Sequence, residues 1–579
     1  ITTSNPATDP APEERPIELI AVNTKVQSPS ATGTPDYTFA FTANCDGKLS
    51  IADKDGNFIA EDVEVKAKTA VNAANVVLNK GKNDFKLYFT PAEGYIPGEY
   101  MAMQSYETKE IDFTVTYKTI GEAGQSIWVA PDAKGSGSKE DPMSIYDAVK
   151  YVQPSQQIVL MEGTYKLESS LKIARGINGT AENMIYMVAD PAATTRPVLD
   201  FQELSTGMII GGDYWYFKGF DVTRSANAQK GIQVSGNHNT LDQINAYHNG
   251  NTGIQISRLN STDEYENWPS YNLILNCTSY GNADAGYEDA DGFAAKLTVG
   301  DGNVFDGCIA HHNADDGWDL FSKSGTGAIG EVEIYDSVCY ANGYVIEDGK
   351  LVKTKGDGNG FKMGGSGIAV NHKVYNSYSF GNAANGFTNN SDPMGEYINC
   401  TGYNNGGSNL ELHAYTGVTA QFVVENFKSF ADNSWENEET LAALTSTEKD
   451  AEADIMNMIK SSSNFLYDKE TGKSVNADGV ELTAANFVSL AEFKDYLLGG
   501  IEAIQRNEDG SINLGNFLKY TNAADNGTDT PAGSDTSITT PDTGDRVMKV
   551  LVPLIIVMVI AVAGIVYVAV SSKKKKEDK

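Results

Sequence analysis

The chain has 579 residues, a formal net charge of −33 and 21% charged residues, with 56 glycines and 29 tyrosines. A charge this negative argues against nucleic acid as a partner, because phosphate binding requires a basic surface, and it favours a soluble extracellular protein. The length allows about three or four domains of ordinary size, unless repeats extend one of them. Abundant glycine and moderate charge favour a turn-rich β protein over a helical one.

The five cysteines cannot form a complete set of disulfides, because their number is odd. Cys277, Cys308 and Cys400 fall at equivalent positions of the repeat described below. This placement predicts small core residues rather than disulfides. The sequence has no CxxC spacing, so a zinc or redox site has no support.

The first 120 residues are predicted to contain a disordered arm and a small β-sandwich. Residues 1–16 are rich in Pro, Thr and Asp, which is typical of a disordered arm. Residues 17–120 contain short alternating runs, such as YTFAFT at 37–42 and FKLYF at 85–89, separated by turn residues. We expect an immunoglobulin-like or fibronectin-like module that acts as a spacer or binds carbohydrate.

Residues 125–520 are predicted to form a right-handed parallel β-helix. The segment at 142–152 reads as an amphipathic helix that covers the open end of the solenoid. Asparagines then recur five residues after a small or apolar residue, with a shortest spacing of 22 residues from Asn227 to Asn249. Stacked asparagines in the turns of such a solenoid can hydrogen-bond along its axis. A leucine-rich repeat has a similar period but would show a leucine lattice, which is absent. The seven asparagines are Asn227, Asn249, Asn282, Asn313, Asn342, Asn382 and Asn405.

Three turns of this repeat share a pattern of an acid or amide, a glycine and an aromatic residue. Adjacent rungs lie about 4.8 Å apart, so aligning the glycines stacks Asp291 on Asp316. The same alignment puts Asp315 and Asp319 beside them and Lys362 one rung beyond Asp319. The three segments are Asp291-Gly292-Phe293, Asp316-Gly317-Trp318 and Asn359-Gly360-Phe361.

Four stacked carboxylates predict a metal site, because without a cation they would repel one another strongly. Ligation by carboxylates alone, without Cys or His, favours Ca²⁺. Positive charge near a lysine lowers its pKa, and a neutral lysine can act as a general base. The pattern therefore predicts a calcium site with Lys362 as the base beside it. A calcium that only rigidifies the turns and a solvated lysine are the alternatives.

Segments of this region resemble the family-nine polysaccharide lyases, the pectate lyases with a ten-coil β-helix. The likeness covers roughly residues 125–520, and the insert at 344–358 departs from the family pattern by lengthening the loop before the lysine. The segments are DGFAAK at 291–296, NVFDGC at 303–308, HNADDGWDLF at 312–321 and GFKMGG at 360–365.

The resemblance implies calcium-dependent cleavage of pectate (polygalacturonate) by β-elimination, which yields 4,5-unsaturated oligogalacturonates. It implies that Asp291, Asp315, Asp316 and Asp319 bind the catalytic calcium. It also implies that Lys362 removes the proton at C5 of the uronate.

Three further residues near the acids are candidates for binding substrate. Lys296 and Lys323 follow the metal rungs in sequence and can contact uronate carboxylates. His312 adjoins the site, and strand alternation is expected to place His311 and His312 on opposite faces. At most one of the two histidines is then expected to face the substrate.

After the last repeats, the chain is predicted to cover the solenoid and then to leave it. Residues 433–462 and 484–505 read as helices that form a C-terminal cover. Residues 521–545 form a linker rich in Thr, Asp, Gly and Pro. Val550–Val570 is an uncharged run whose helical length, about 31 Å, matches a bilayer core. We therefore expect a transmembrane helix with a basic cytoplasmic tail in residues 546–579.

The segment TPDTGD at 540–545, followed by the hydrophobic run and the lysines, resembles a Gram-positive cell-wall sorting signal. Such signals are cut between Thr and Gly, here Thr543 and Gly544, and the threonine is joined to peptidoglycan. Thr540 stands where leucine is usual, and simple retention in the membrane is the alternative. We expect a monomer that is secreted and attached to the bacterial cell surface.

The leading hypothesis is a pectate lyase, and three alternatives stay open. A lyase that acts on another uronate polymer would use the same residues. A glycoside hydrolase would need a carboxylic acid in the place of Lys362. A surface adhesin would bind pectin without turnover, and fold alone does not separate these functions.

Overall fold

The computed structural model of the protein places a small β-sandwich before a solenoid of three long parallel sheets. All described residues belong to the first of two units, Ile1–Thr521, and the second, Asn522–Lys579, lies outside them. The structure describes residues 16–413, 418–432, 443–444, 455–468, 471–499 and 503–521.

The N-terminal domain is the predicted sandwich, with one sheet of three strands and one of five. Its buried core contains Phe39, Phe41, Leu49, Phe89 and Val115, all fully enclosed. Burying a side chain of this kind contributes about 1.5–3 kcal/mol relative to leaving it exposed. The first sheet consists of Thr24–Val26, Asp36–Ala43 and Val71–Val77. The second consists of Ala31–Thr32, Lys109–Tyr117, Gly81–Pro91, Gly47–Asp53 and Phe58–Val65, and Glu18–Ile20 pairs separately with Met101–Met103.

The solenoid is a parallel β-helix, as predicted, and its strands pair in register from rung to rung. Sheet 1 consists of Ser126–Val129, Gln157–Leu160, Ile185–Ala189, Trp215–Lys218, Thr240–Asp242, Leu273–Leu275, Asn303–Asp306, Val332–Tyr335, Lys373–Tyr375, Met394–Ile398 and Gln421–Glu425. Sheet 2 consists of Thr164–Lys166, Val198–Asp200, Asp221–Thr223, Asn245–Tyr247, Thr278–Tyr280, Ile309–His311, Val338–Tyr340, Tyr378–Phe380, Thr401–Tyr403 and Lys428–Phe430. Sheet 3 consists of Leu171–Ile173, Met208–Ile210, Ile232–Val234, Ile254–Ile256, Phe293–Ala295, Trp318–Asp319, Phe361–Lys362, Phe387–Thr388, Leu410–Leu412 and Ala443–Leu444.

A ladder of buried asparagines follows sheet 2, and six of the seven predicted members belong to it. In each step, Nδ2 of one asparagine donates to Oδ1 of the next, as from Asn313 to Asn342 at 2.9 Å. The prediction for Asn227 is wrong, because Asp221–Thr223 pairs in a register that places Ser225 opposite Asn249. The confirmed members are Asn249, Asn282, Asn313, Asn342, Asn382 and Asn405.

Two features of the interior differ in how far the sequence predicted them. Cys277, Cys308 and Cys400 are free and fully buried in the solenoid core, as their repeat positions predict. A second asparagine ladder before sheet 1 was not predicted. It consists of Asn239, Asn272 and Asn303, each joined to the next through Oδ1.

The predicted cap of the solenoid is the helix Ile145–Tyr151, which packs Ile145, Ala148 and Val149 into the core. It begins three residues later than predicted, because Met143 forms a bridge with Val129 and Ser144 is the N-cap. The Ser144 hydroxyl accepts a hydrogen bond from the backbone N–H of Tyr146, which satisfies one free donor of the first turn.

The C-terminal cover is only partly helical. Within 484–505, the predicted helix is Phe493–Leu498, which packs on the outer aromatic residues of sheet 2. Within 433–462, the expectation of a helix is wrong at Ala443–Leu444, because this pair extends sheet 3 as a strand. Residues 455–459 are helical, and the rest of that segment lies outside the described residues.

The remaining elements are short. No helix in the described part of the chain is long and apolar enough to span a bilayer. The predictions for residues 1–15 and 522–579, including the linker, the sorting motif and the transmembrane helix, concern residues outside the described ones. The short elements are the hairpins Tyr344–Glu347 with Lys350–Lys353 and Gln505–Arg506 with Ile512–Asn513, the strands Leu466–Asp468, Lys473–Val475 and Glu481–Leu482, and the 3₁₀ turns Tyr265–Asn267 and Ala484–Asn486.

Candidate active site

The candidate site lies on the outer face of sheet 3, where three consecutive strands carry the predicted residues. Phe293, Trp318 and Phe361 point inward and stack on one another with ring centroids 4.7 Å apart at each step. This aromatic stack fixes the register, since successive side chains of a strand point to opposite faces. Asp319 and Lys362 therefore face outward, and they pair directly across adjacent strands.

Glycines before these strands allow the turns to approach each other closely. A Cβ atom on Gly317 would lie 2.6 Å from the carbonyl oxygen of Gly360 and 2.9 Å from Nδ2 of Asn342. A Cβ atom on Gly360 would lie 2.5 Å from the carbonyl oxygen of Gly386. The close approach of adjacent rungs thus requires the glycine of the acid-glycine-aromatic pattern.

The acids of the turns are buried, and backbone and side-chain donors hold them. Asp291 and Asp316 are 0% exposed. Oδ2 of Asp291 accepts a hydrogen bond from the Thr252 hydroxyl at 3.0 Å. Oδ1 of Asp316 accepts from the backbone N–H of Asn359 at 2.7 Å and from its Nδ2 at 2.9 Å. The stacking of Asp291 on Asp316 is confirmed.

Two lysines, the half-buried Lys296 and the buried Lys362, pair with these acids. Lys296 donates from Nζ to Asp291 and to Asp319, both at 2.7 Å. Lys362 places Nζ 3.0 Å from Oδ2 of Asp316 and is only 8% exposed. The site is therefore a compact set of opposite charges in a setting with little water, where each charge acts strongly on its neighbours.

Asp357 joins the set and was missed by sequence reasoning. It lies 2.8 Å from Nζ of Lys362, and its backbone N–H donates to Oδ1 of Asp315 at 2.6 Å. It comes from the insert at 344–358, whose hairpin returns the chain to the site. The available signal was its position two residues before Asn359, where one aligned segment also carries an acid, Asp289 before Asp291.

Burial and mutual repulsion raise the pKa values of the stacked acids. Burial raises the pKa of Asp315 to about 10, and the charges of Asp316 and Asp291 add to the rise. Burial raises the pKa of Asp316 to about 7, although the charge of Lys362 opposes the shift. Burial also raises the pKa of Asp291, against the attraction of Lys296.

The pKa values of Asp319 and Lys362 shift in the directions that favour the charged forms of both side chains. Burial favours the protonated form of Asp319, but Lys296 and Lys362 outweigh it and lower the pKa. Burial favours the neutral amine of Lys362, but the carboxylates of Asp319 and Asp316 outweigh it and raise the pKa. The lowered pKa predicted for Lys362 from the sequence therefore requires the added positive charge of a cation.

The donor set fits a hard cation. One carboxylate oxygen from each of Asp291, Asp316 and Asp319 lies within 4.8 Å of the others, and Asp315, Asp316 and Asp357 form a second such group. Oδ1 of Asp319 is buried and accepts no hydrogen bond, and Oδ2 of Asp316 is buried with only the Lys362 ammonium beside it, at 3.0 Å. Buried carboxylate oxygens with too few partners are costly, and a cation would add a partner to both.

The other predicted substrate contacts are separated from these acids. Lys323 is exposed on a turn that it closes with Gly327. His312 is 5% exposed, and its Nε2 lies 2.8 Å from the carbonyl oxygen of Leu497, beneath the C-terminal helix. The prediction that His311 and His312 face opposite sides is wrong, because their Nδ1 atoms lie 2.8 Å apart. Strand alternation ends at His311, and His312 takes a positive φ of 53°.

Comparison with known proteins identifies the family of both domains. The family profile described as "Pel9A-like, right handed beta helix region" matches residues 127–426. The profile described as "Pectate disaccharide-lyase central Ig-like domain" matches residues 25–109. The first profile covers more than half of the chain and contains all the acids and lysines of the site.

Individual relatives agree with the profiles. A pectate lyase L of Thermoclostridium stercorarium is 39% identical over 479 residues, which are 82% of this chain and 36% of that protein. The chain thus spans about a third of the length of that relative. A pectate lyase L of Paenibacillus polymyxa (strain SC2) is 37% identical over 422 residues, which are 71% of this chain and 85% of that protein.

A solved structure also aligns with the solenoid. The crystal structure of pectate lyase Pel9A superposes with a TM-score of 0.53 at 28% identity, covering 72% of this chain and 94% of that one. The profile match, the two relatives and this structure agree on one assignment. The chain belongs to the Pel9A-like family of pectate lyases.

Proposed function

We propose that the chain cleaves polygalacturonate by calcium-dependent β-elimination, with Lys362 as the base. The observation that carries the proposal is the register of sheet 3, in which Lys362 lies one rung beyond Asp319 on the same outer face. The names of the relatives, pectate lyase L and pectate disaccharide-lyase, support a pectate substrate. A base beside a group of carboxylates suits a substrate that itself carries a carboxylate.

Asp291, Asp315, Asp316 and Asp319 are the proposed calcium ligands. Calcium accepts six to eight oxygen ligands in irregular geometry, which suits carboxylates from two rungs. The support for this assignment is that Oδ1 of Asp319 accepts no hydrogen bond and that Oδ2 of Asp316 has only the Lys362 ammonium as a partner. When bound, calcium would pair with the uronate carboxylate and acidify the neighbouring C5–H bond.

In the proposed reaction, Lys362 is the base. Its neutral amine takes the proton at C5, and the electrons of that bond form a double bond between C4 and C5. The bond from C4 to the glycosidic oxygen breaks, and that oxygen gains a proton to become a hydroxyl group. The products are a 4,5-unsaturated oligogalacturonate and a shortened chain. Because the surrounding carboxylates raise the pKa of Lys362, activity is expected to rise with alkaline pH.

The test follows the ultraviolet absorbance of the unsaturated product. The full chain is incubated with polygalacturonate in calcium, then in chelator, beside the Lys362→Ala variant. We expect calcium-dependent absorbance that falls about 10³-fold in the variant. Lys355→Ala is the matched control, since Lys355 is an exposed lysine of the adjoining insert.

Other outcomes would replace the proposal. New reducing ends without absorbance would identify a hydrolase. Activity on a different uronate polymer alone would change the substrate and keep the mechanism. Binding of pectin with no cleavage in calcium would identify an adhesin.

We also propose that the protein works at the bacterial cell surface. The support is in the sequence alone: the uncharged run Val550–Val570, the lysines at 573–576 and the sorting-like segment at 540–545. Fractionation of cells that express the full chain and a Thr543→Ala variant tests this. We expect the chain in the wall fraction and the variant outside it, whereas equal distribution would favour membrane retention.

A further inference from the structure

The outer face of sheet 3 continues from the acids toward the N-terminal domain as an uncharged strip that ends in lysine. Lys172, Ile209, Gln233, Gln255 and Ala294 pair in register from rung to rung, and Ala294 pairs with Asp319. Five steps at about 4.8 Å give a separation of about 24 Å between Lys172 and Asp319. A strip of this length can carry several sugar rings of an extended polysaccharide.

The N-terminal domain meets the solenoid at the far end of this strip. Nζ of Lys25, in strand Thr24–Val26, donates to Oδ1 of Asn260 in the loop after the strand that carries Gln255. Gln27 accepts a hydrogen bond from Arg175, which follows the strand of Lys172 by two residues. Lys25 and Lys172 are both exposed, and each acts electrostatically on the other.

The charges differ on the two sides of the acids. Toward the N-terminal domain, Lys25 and Lys172 form no ion pair within the described residues, and Asp263, the acid that acts on Lys25, is paired with Arg175 at 2.7 Å. Toward the C-terminal end, the same outward column continues with Thr388 and then Glu411, whose carboxylate accepts from the Thr388 hydroxyl at 2.8 Å. In a protein with a net charge of −33, an anionic polysaccharide is attracted to the side with the two lysines, Lys25 and Lys172, and repelled by the side with Glu411.

We propose that Lys25 and Lys172 form a distal subsite that binds uronate carboxylates of a polygalacturonate chain lying along sheet 3. The inference rests on the proposed function and gives the N-terminal domain a direct part in holding substrate. The strip between the subsite and the acids carries no charged side chain, and the lysines at its end pair with the carboxylates of the polysaccharide. Short oligogalacturonates do not reach from Lys362 to this subsite, so its contribution depends on chain length.

The test compares long polygalacturonate with trigalacturonate. In the Lys25→Ala/Lys172→Ala double variant, we expect the ratio of kcat/KM for the long over the short substrate to fall about fivefold. Lys82→Ala is the matched control, because Lys82 is exposed on the other sheet of the same domain. Lys172→Arg is expected to keep the ratio, since it keeps the charge. Lys172→Ala alone separates binding from domain contact, because Lys25 also contacts Asn260.

Two outcomes decide the proposal independently of the lyase activity. An unchanged ratio in both Lys172→Ala and the double variant, with the lyase active, would overturn the distal subsite and leave the proposed function intact. Titration of long polygalacturonate into Lys362→Ala measures binding without turnover. Weaker binding after adding Lys25→Ala and Lys172→Ala, even if no β-elimination is found with the unmodified chain, would support the subsite while the proposed function fails.

Discussion

The asparagine ladder and the acid column, which consists of Asp291 and Asp316, are two stacks on the same rungs. Only the ladder satisfies the hydrogen-bonding groups of its own side chains. Each ladder asparagine both donates and accepts, so Asn313 donates to Asn342 while its Oδ1 accepts from Asn282 at 2.8 Å. Ionised carboxylates only accept. The side chain of Asp316 therefore cannot donate to the carboxylate stacked on it, and its Oδ2 has only the Lys362 ammonium as a partner.

The difference shows how a solenoid builds a reactive site from a structural repeat. Replacing an amide by a carboxylate at a stacked position removes a donor and adds a negative charge. The column returns to amides at Asn359 and Asn385, where side-chain hydrogen bonds resume. The acids thus form a short interruption in a stable pattern, and two lysines and a proposed cation balance it.

The largest expected effect comes from converting the acid column into a ladder. Asp316→Asn keeps the oxygen that accepts from Asn359 and removes the charge, so we expect activity to fall about 10³-fold. The same change is expected to raise the unfolding temperature in chelator, because repulsion among the acids decreases. Calcium-dependent activity close to that of the unmodified chain would remove Asp316 from the ligand set.

The reverse exchange should damage the ladder. Asn313→Asp removes the donor to Asn342 and buries a charge with no cation, so we expect a loss of about 3 kcal/mol in the free energy of unfolding. Urea unfolding measures it. Asn72→Asp, at an exposed position of the sandwich, is the control and is expected to change stability by less than about 0.5 kcal/mol. Equal losses of stability in the two variants would show that a ladder asparagine contributes no more than an exposed one.

The stability of the acid column should depend on pH and on calcium. In the folded chain, burial raises the pKa values of Asp315 to about 10 and of Asp316 to about 7 from their ordinary 3.8. The folded chain then binds more protons than the unfolded one above about pH 4, so stability falls as pH rises through 7 and toward 10.

Thermal unfolding in chelator across this range checks the slope, which Asp316→Asn should flatten between about pH 4 and 7. At pH 8, calcium at 100 times its dissociation constant should restore about 2.7 kcal/mol of the free energy of unfolding. The same calcium concentration at pH 4 should restore much less, since protonated carboxylates bind calcium poorly. A chelated chain whose stability rises over this range would contradict the described charges.

The smallest expected effect is a difference in kcat/KM between alanine variants of the two lysines that follow the rungs of the proposed metal ligands, Lys296 and Lys323. Lys296→Ala removes the partner of Asp291 and Asp319, and we expect kcat/KM to fall about tenfold, which is the usual size of the loss when a group that orients a metal ligand is removed. Lys323→Ala, on its exposed turn, is expected to change kcat/KM less than about twofold. A larger loss for Lys323→Ala would place that turn in contact with substrate.

The sequence by itself determined the β-helix and the register of the site. The glycine before each strand must lie close to the next rung, so counting from Gly292, Gly317 and Gly360 aligns the side chains on both faces. The period of two then sends the aromatic residues inward and Asp319 and Lys362 outward. Neither step depends on the length of the loops between the rungs.

Only the tertiary structure decided the contacts of the segments that lie outside the rungs of the solenoid. The hairpin of the insert brings Asp357 to Lys362, and the backbone of Leu497, 185 residues after His312, covers that histidine. Asn227 was misplaced because Ser225, two residues earlier, occupies the ladder position of this rung, so that spacing alone selected the wrong residue. Local spacing fixes neighbouring rungs, whereas these positions depend on how distant segments pack.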